Sequence, residues 1–331
     1  MEKNHITRYI LQNHFLMAIF VLGVIWFLLT IQNILVALFL AYIFMAALSP
    51  LVEQLQRWKF PKILAVSVAF VSTFSLVLLI IFPLVPFFIS QIQSLYIGFP
   101  VYLDTVVKLI GFNISASQLD SIAKAEIGSI GQNAILVTGK VFNGLFSVLT
   151  VMVVSFYLML DHQRVKKSIT GIFPEKSQAR AYETLLKIEY KLGAWFRGQI
   201  VLCVFIGFFT WIILTLLGVP FALPLALIAG LLEVIPTLGP IISAIPAVIV
   251  SIAVAPHLTI FVILAYILIQ AVENNFLVPK IMQKAVGLNP IVVIIGIIVG
   301  GELMGLIGAL LSIPFISMLV IIYSAFQEDA S

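Results

Sequence analysis

Three glutamates stand where a charged side chain is costly. Glu233, Glu273 and Glu302 each fall inside or at the edge of an apolar run with almost no other charge. An ionised side chain at the centre of a bilayer costs at least about 2.5–3.5 kcal/mol on insertion scales. An acid kept there either closes a helix end through hydrogen bonds or handles a proton or a cation. Glu233 and Glu302 lead as coupling residues. Glu273, followed by Asn274, Asn275 and Lys280, fits a closed helix end as readily as a site. Thr237 and Ser243 follow Glu233, Ser312 follows Glu302, and Gln270 precedes Glu273. Their hydroxyls and amides can hydrogen-bond a polyol-like solute, or satisfy a backbone break. Neither a nucleophile with its base nor a phosphate-binding loop is present, which argues against an enzyme and against an ATP-driven pump. His5, His14, His162 and His257 lack metal-ligand spacing, so no metal or cofactor is expected. Cys203 lies alone in an apolar helix and reads as a small buried residue.

The segment that must position Glu233 is unlike an ordinary membrane helix. Val219 to Ala255 is an apolar run holding one charge, Glu233, and the prolines 220, 224, 236, 240 and 246, with Pro256 just beyond. Pro236 and Pro240 flank Gly239, so two backbone donors are missing within about one turn. At membrane depth such a break persists only when packed in protein or lining a wet cavity. The last apolar run, 291–323, echoes it. Glu233, Gly239 and Ser243 recur as Glu302, Gly308 and Ser312, each offset by 69 residues, and a proline follows each serine, Pro246 and Pro314. Gly300, Gly301 and Gly305 supply further points of weakness. Two broken hairpins, 219–255 and 291–323, are therefore expected, meeting at a hydrated pocket.

Composition sets the class. Of 331 residues 62% are hydrophobic and 10% charged, with a mean hydropathy of +1.19; soluble domains carry roughly a quarter charged. The chain reads as an all-α polytopic membrane protein, with about six full spans plus the two hairpins in an inverted arrangement. Expected parts are spans one to three in 1–90, with a polar break at Gln32 and Asn33 between the first two. An extracytoplasmic helical region follows at 91–140, span four at 141–160, a cytoplasmic amphipathic region at 161–197, and a transport core at 198–331. Within 161–197, Leu185, Ile188, Leu192 and Trp195 form one apolar face, suited to the membrane surface, a partner helix or the protein's own core.

Orientation follows the basic residues. Fifteen of the 18 lysines and arginines lie in the N-terminus, 51–62, 161–197 and the connector with Lys280 and Lys284. Placing these in the cytoplasm puts the N-terminus there too. The net charge of +4 reflects this topology, not nucleic-acid binding. Lys280 and Lys284 reach the cytoplasm only if 219–255 enters and returns from the outer face. The second hairpin then enters from the cytoplasm, as in transporters whose site lies between inverted repeats.

The segments GLLEVIPTLGPIISAIPAV, ENNFLVPKIMQKAVGLNP and GGELMGLIGALLSIP, in this order, resemble the autoinducer-2 exporter family, also called PerM-type predicted permeases. The motif-rich part covers roughly 225–323. The resemblance implies a bacterial inner-membrane, multi-pass transporter. Its members are linked to export of the neutral signal autoinducer-2 and, in other cases, to sodium/proton antiport. It also implies a homo-oligomer, with a pentamer among the candidates, and an elevator-like motion. Thr237 and Gln283 depart from the usual pattern. The expected function is secondary transport of a small polar solute, coupled to H+ or Na+. Sodium/proton antiport without organic substrate and a non-transporting scaffold are the alternatives.

Overall fold

The structure, a computed structural model, describes residues 14–79, 82, 105, 134–236, 238–282 and 289–327. Thr237, Gln283, Pro83, Pro86 and nearly all of 91–133 lie outside the described residues. The described chain forms α1 (His14–Thr30), α2 (Gln32–Arg57), α3 (Lys62–Leu79), α4 (Ala134–Leu160), α5 (His162–Thr170) and α6 (Glu175–Leu216). Then come α7 (Ala222–Leu232), α8 (Leu238–Val254), α9 (Pro256–Val272), a π turn (Glu273–Leu277), α10 (Val278–Met282) and α11 (Pro290–Gln327). Five stretches are long and apolar enough to cross a membrane, or six if α4 and α5 count as one bent span. The protein is a multi-pass helical membrane protein.

The prolines mostly start helices rather than interrupt them. Pro224, Pro240, Pro256 and Pro290 all lie in the first turn of α7, α8, α9 and α11, where an amide would lack a helical partner anyway. Pro50, like Pro246 and Pro314, sits inside its helix, where it removes the donor that the Ala46 carbonyl would receive. The guanidinium of Arg197 replaces it, donating to the Ala46 oxygen at 3.4 Å and the Ala47 oxygen at 3.0 Å. Close approach is possible there because Gly193 faces the Ala46 carbonyl, where a Cβ would collide.

Two expectations change and one open choice narrows. First, the chain does not turn back at Gln32–Asn33. One residue, Ile31, separates α1 from α2, and Ile31 donates to Phe27 and Leu35 to Ile31 with helical spacing. A polar pair is not enough to reverse a helix whose backbone bonds continue past it. The loop that would return residues 51–62 to the side of the N-terminus is therefore missing at this point. Second, α6 is one helix of 42 residues running through the expected boundary at 197/198, about 63 Å long. Third, its face of Ile188, Leu192 and Trp195 is buried against Ile43 of α2 and Leu311 and Ile313 of α11. That face packs on the protein itself.

Reversals after α6 stack the next helices. The turn 217–221 uses Gly218 at φ 69° and Phe221 at φ 59°. Leu214, Leu225, Ala247, Val250 and Val262 share one core, so α6, α7, α8 and α9 run alternately up and down. Helix α7 has 11 residues and α8 has 17, about 16 and 25 Å, both shorter than a hydrocarbon core of about 30 Å. Helix α11 is also a hairpin. Its backbone breaks at Met304 (φ −141°, ψ 18°) and Gly305 (φ 62°, ψ −145°). Gly300 then faces Gly308, and a Cβ on Gly296 would lie 3.6 Å from the Ser312 Cβ.

Candidate functional site

The site is built by backbone contact between α6 and α7. A Cβ on Gly230 would lie 2.8 Å from the Cys203 carbonyl oxygen and 3.1 Å from the Gly207 Cα. Two glycines facing each other let the helices touch without intervening side chains. Beyond Gly230 the helix ends at Glu233, and the chain turns through Glu233–Pro236 into α8. Gly239 seals this turn, since a Cβ there would strike the Leu232 carbonyl.

Close packing brings α6 side chains onto the turn. Gln199 Nε2 donates to the Glu233 carbonyl oxygen at 2.6 Å. The Glu233 side chain is fully buried, and Glu273, the first residue of the π turn after α9, is 2% exposed. The two carboxyl groups are neighbours, close enough to interact electrostatically. Gln270 Nε2 donates to Glu273 Oε2 at 2.9 Å. Neither oxygen of Glu233 meets a hydrogen-bond partner among the described residues, and Gln199 Oε1 is also buried without one. Acceptors thus outnumber donors at this site. Two adjacent carboxylates out of water repel strongly, and a shared proton or a bound cation would relieve that repulsion. A π turn placed beside such a group is a frequent feature of functional sites.

The other expected site residues divide. Ser243 is buried; its hydroxyl donates to the Pro240 oxygen at 3.0 Å, and Tyr266 donates its hydroxyl to the Ser243 carbonyl at 3.4 Å. The second of these bonds ties α9 to α8. Asn274 and Asn275 are exposed, and Asn275 donates to its own helix at the Ala271 oxygen. Glu302 is exposed near the tip of the second hairpin. Gly300 faces the opposite arm, and a residue two positions on points about 200° away, so Glu302 turns outward and does not join Glu233. Ser312 is buried with its hydroxyl donating to the Ala309 oxygen at 2.7 Å. It lines a cavity of about 400 Å³ with Phe39, Gly296, Gly300, Met304 and Phe315. That cavity lies between the second hairpin and α2 and is apolar, because, Ser312 apart, both arms face it with glycine and apolar side chains. Gly301 and Pro314 lie within the first and second arms. Among the described residues no group of three or more His, Cys, Asp or Glu could hold a metal ion.

Sequence reading missed Gln199, Gly207 and Gly230 as parts of the site, and Cys203, expected to be buried, is half-buried with its carbonyl facing Gly230. Cys203 and Gly207, four residues apart, do signal a smooth stripe on α6. A second missed group lies at the basic end. Glu189 accepts from Lys166 Nζ at 2.6 Å and from the Tyr42 hydroxyl at 3.1 Å, and lies 2.8 Å from His162 Nε2. This group ties α5 and α2 to α6, ten residues before Gln199.

Comparison with known proteins adds a second line of observation. The family model described as "AI-2E family transporter" matches residues 15–328. The chain is 25% identical over 312 residues to "AI-2 transport protein TqsA" of Escherichia coli (strain K12), covering 90% of this chain and 87% of that protein. It is 26% identical over 314 residues to "Putative transport protein YrrI" of Bacillus subtilis (strain 168), covering 91% and 89%.

Proposed function

Because the chain belongs to the AI-2E transporter family, we propose that it carries a small, polar, uncharged solute of the autoinducer-2 type across the bacterial inner membrane. Movement of solute is coupled to H+ or Na+ exchange at Glu233 and Glu273. The observation that carries this reading is the buried carboxyl pair at the tip of the first hairpin, short of donors and bordered by Gln199. Two short helices, α7 and α8, suit a re-entrant hairpin better than two spans. The second hairpin supports an opposed entry. Its free end, at Ala325, lies beside Arg180 and Thr184 near the start of α6, whereas the first hairpin opens toward the end of α6 at Leu214. The basic residues of 161–197 mark the start of α6 as the cytoplasmic side. A homo-oligomer is part of the proposal through the family alone.

Sodium/proton antiport without organic substrate is the second reading. It is favoured by the acceptor-rich character of the site, which suits a cation better than a polyol. The test uses proteoliposomes of wild type, Glu233→Gln and Glu273→Gln. Solute uptake and dye-reported proton flux are followed across pH and after sodium pulses. Coupled transport predicts that both variants lose pH and sodium dependence. Variants that move solute at the wild-type rate with unchanged pH dependence would end the coupling assignment. Proton flux driven by sodium in the absence of solute would select antiport.

A further inference from the structure

Away from the carboxyl pair, two cavities adjoin at the basic end of the molecule. One, of about 300 Å³, is mainly apolar and lies between α5, α6 and the end of α11, lined by Ile169, Phe173, Ile188, Ile322 and Phe326. The other, of about 490 Å³, is lined by Arg180, Lys187 and Lys191 with Glu183, Tyr190 and Ser324. Arg180, Thr184 and Ala325 line both, so the two are compartments of one groove. Positions 180, 187 and 191 fall within about 40° of one another around a helix. Lys187 and Lys191 therefore face the same compartment as Arg180, with Glu183 the acid that lines it among the described residues.

The groove opens where a headgroup layer belongs. Helix α5 departs from α4 at 77°, so if α4 crosses the membrane, α5 lies close to its plane. The turn after α5 exposes Ile172 (81%) and Phe173 (39%) between Lys167 and Lys176. Beside it the end of α11 exposes Val320, Tyr323 and Phe326. Apolar side chains interleaved with lysine and tyrosine are the composition of a membrane interface.

We propose that this groove binds an anionic phospholipid of the adjoining leaflet, its phosphate between Arg180, Lys187 and Lys191 and one acyl chain entering the apolar compartment. A soluble phosphate compound would leave the apolar compartment unfilled, and a zwitterionic lipid would match the cationic one poorly. Basic pockets between membrane helices recognise anionic headgroups through this pairing. A bound lipid would bridge α6, which carries Gln199, to the second hairpin.

The test takes the full chain in nanodiscs with equal phosphatidylglycerol and phosphatidylcholine, extracts it into mild detergent, and reads retained phospholipid by native mass spectrometry. Wild type should retain phosphatidylglycerol selectively. Lys187→Gln/Lys191→Gln should lose roughly 30-fold of that selectivity, whereas Lys187→Arg/Lys191→Arg and the nearby exposed pair Lys167→Gln/Lys176→Gln should keep it. Phe326→Ala should weaken retention of the selected lipid. Millimolar inorganic phosphate should leave it bound. Equal retention of the two lipids by wild type, equal loss in the Lys167/Lys176 control, or displacement by inorganic phosphate would overturn the proposal.

Discussion

Replacing Glu189 by glutamine keeps the size of the side chain and deletes its charge, which makes it the sharpest probe of how α6 is anchored. The Lys166 side chain is 4% exposed and Glu189 11%, at a separation of 2.6 Å. Removing the carboxylate leaves an ammonium buried without its counter-charge, a change that costs about 3–5 kcal/mol. Lys166→Met is expected to cost less, about 1–2 kcal/mol, because Glu189 still interacts with His162 at 2.8 Å and accepts from Tyr42 at 3.1 Å. In the double variant no ammonium remains to be stranded, so its cost should fall short of the sum by about 2–3 kcal/mol. Unfolding free energies of the four proteins in one detergent, read by intrinsic fluorescence, give this coupling directly. Costs that add within about 0.5 kcal/mol would show that the pair is solvated and does not anchor the helix.

Other consequences follow from the same packing. Gly296→Cys/Ser312→Cys in a Cys203→Ser background should form a disulfide on mild oxidation, since the Cβ positions lie 3.6 Å apart once Ile316 shifts. A straight α11 would hold them about 24 Å apart, and mobility on a non-reducing gel distinguishes the two. Arg197→Gln should destabilise by about 1.5–3 kcal/mol, and less in a Pro50→Ala background, where the substituted residue restores the missing amide to the Ala46 carbonyl. Equal losses in both backgrounds would refute the link to the proline. Gly230→Val should separate α7 from α6, costing about 1–3 kcal/mol and most of the proteoliposome transport. Gly305→Ala should cost about 1–3 kcal/mol, because φ 62° with ψ −145° is a glycine conformation; an unshifted melting temperature would contradict the fold of that turn.

Much of the fold was legible along the chain because its causes are local. Apolar runs of membrane length, prolines near helix starts and glycines at breaks act through their own backbone, so the hairpin turns near Pro236 and Gly305 could be found from residue type and spacing. Failures came where local chemistry was a weaker rule than helix continuity. Gln32 and Asn33 are polar, yet the hydrogen bonds around Ile31 carry the helix past them.

What the sequence by itself determined is a helical membrane chain with two interrupted hairpins and acids in apolar surroundings. Which acids meet was decided by tertiary structure. The 69-residue echo pointed to Glu233 and Glu302, but helix rotation turns Glu302 outward, and the Gly207–Gly230 contact together with the π turn brings Glu273 and Gln199 to Glu233. Backbone breaks belong to a few neighbouring residues, whereas the convergence of side chains 34 and 40 positions apart depends on how closely whole helices approach.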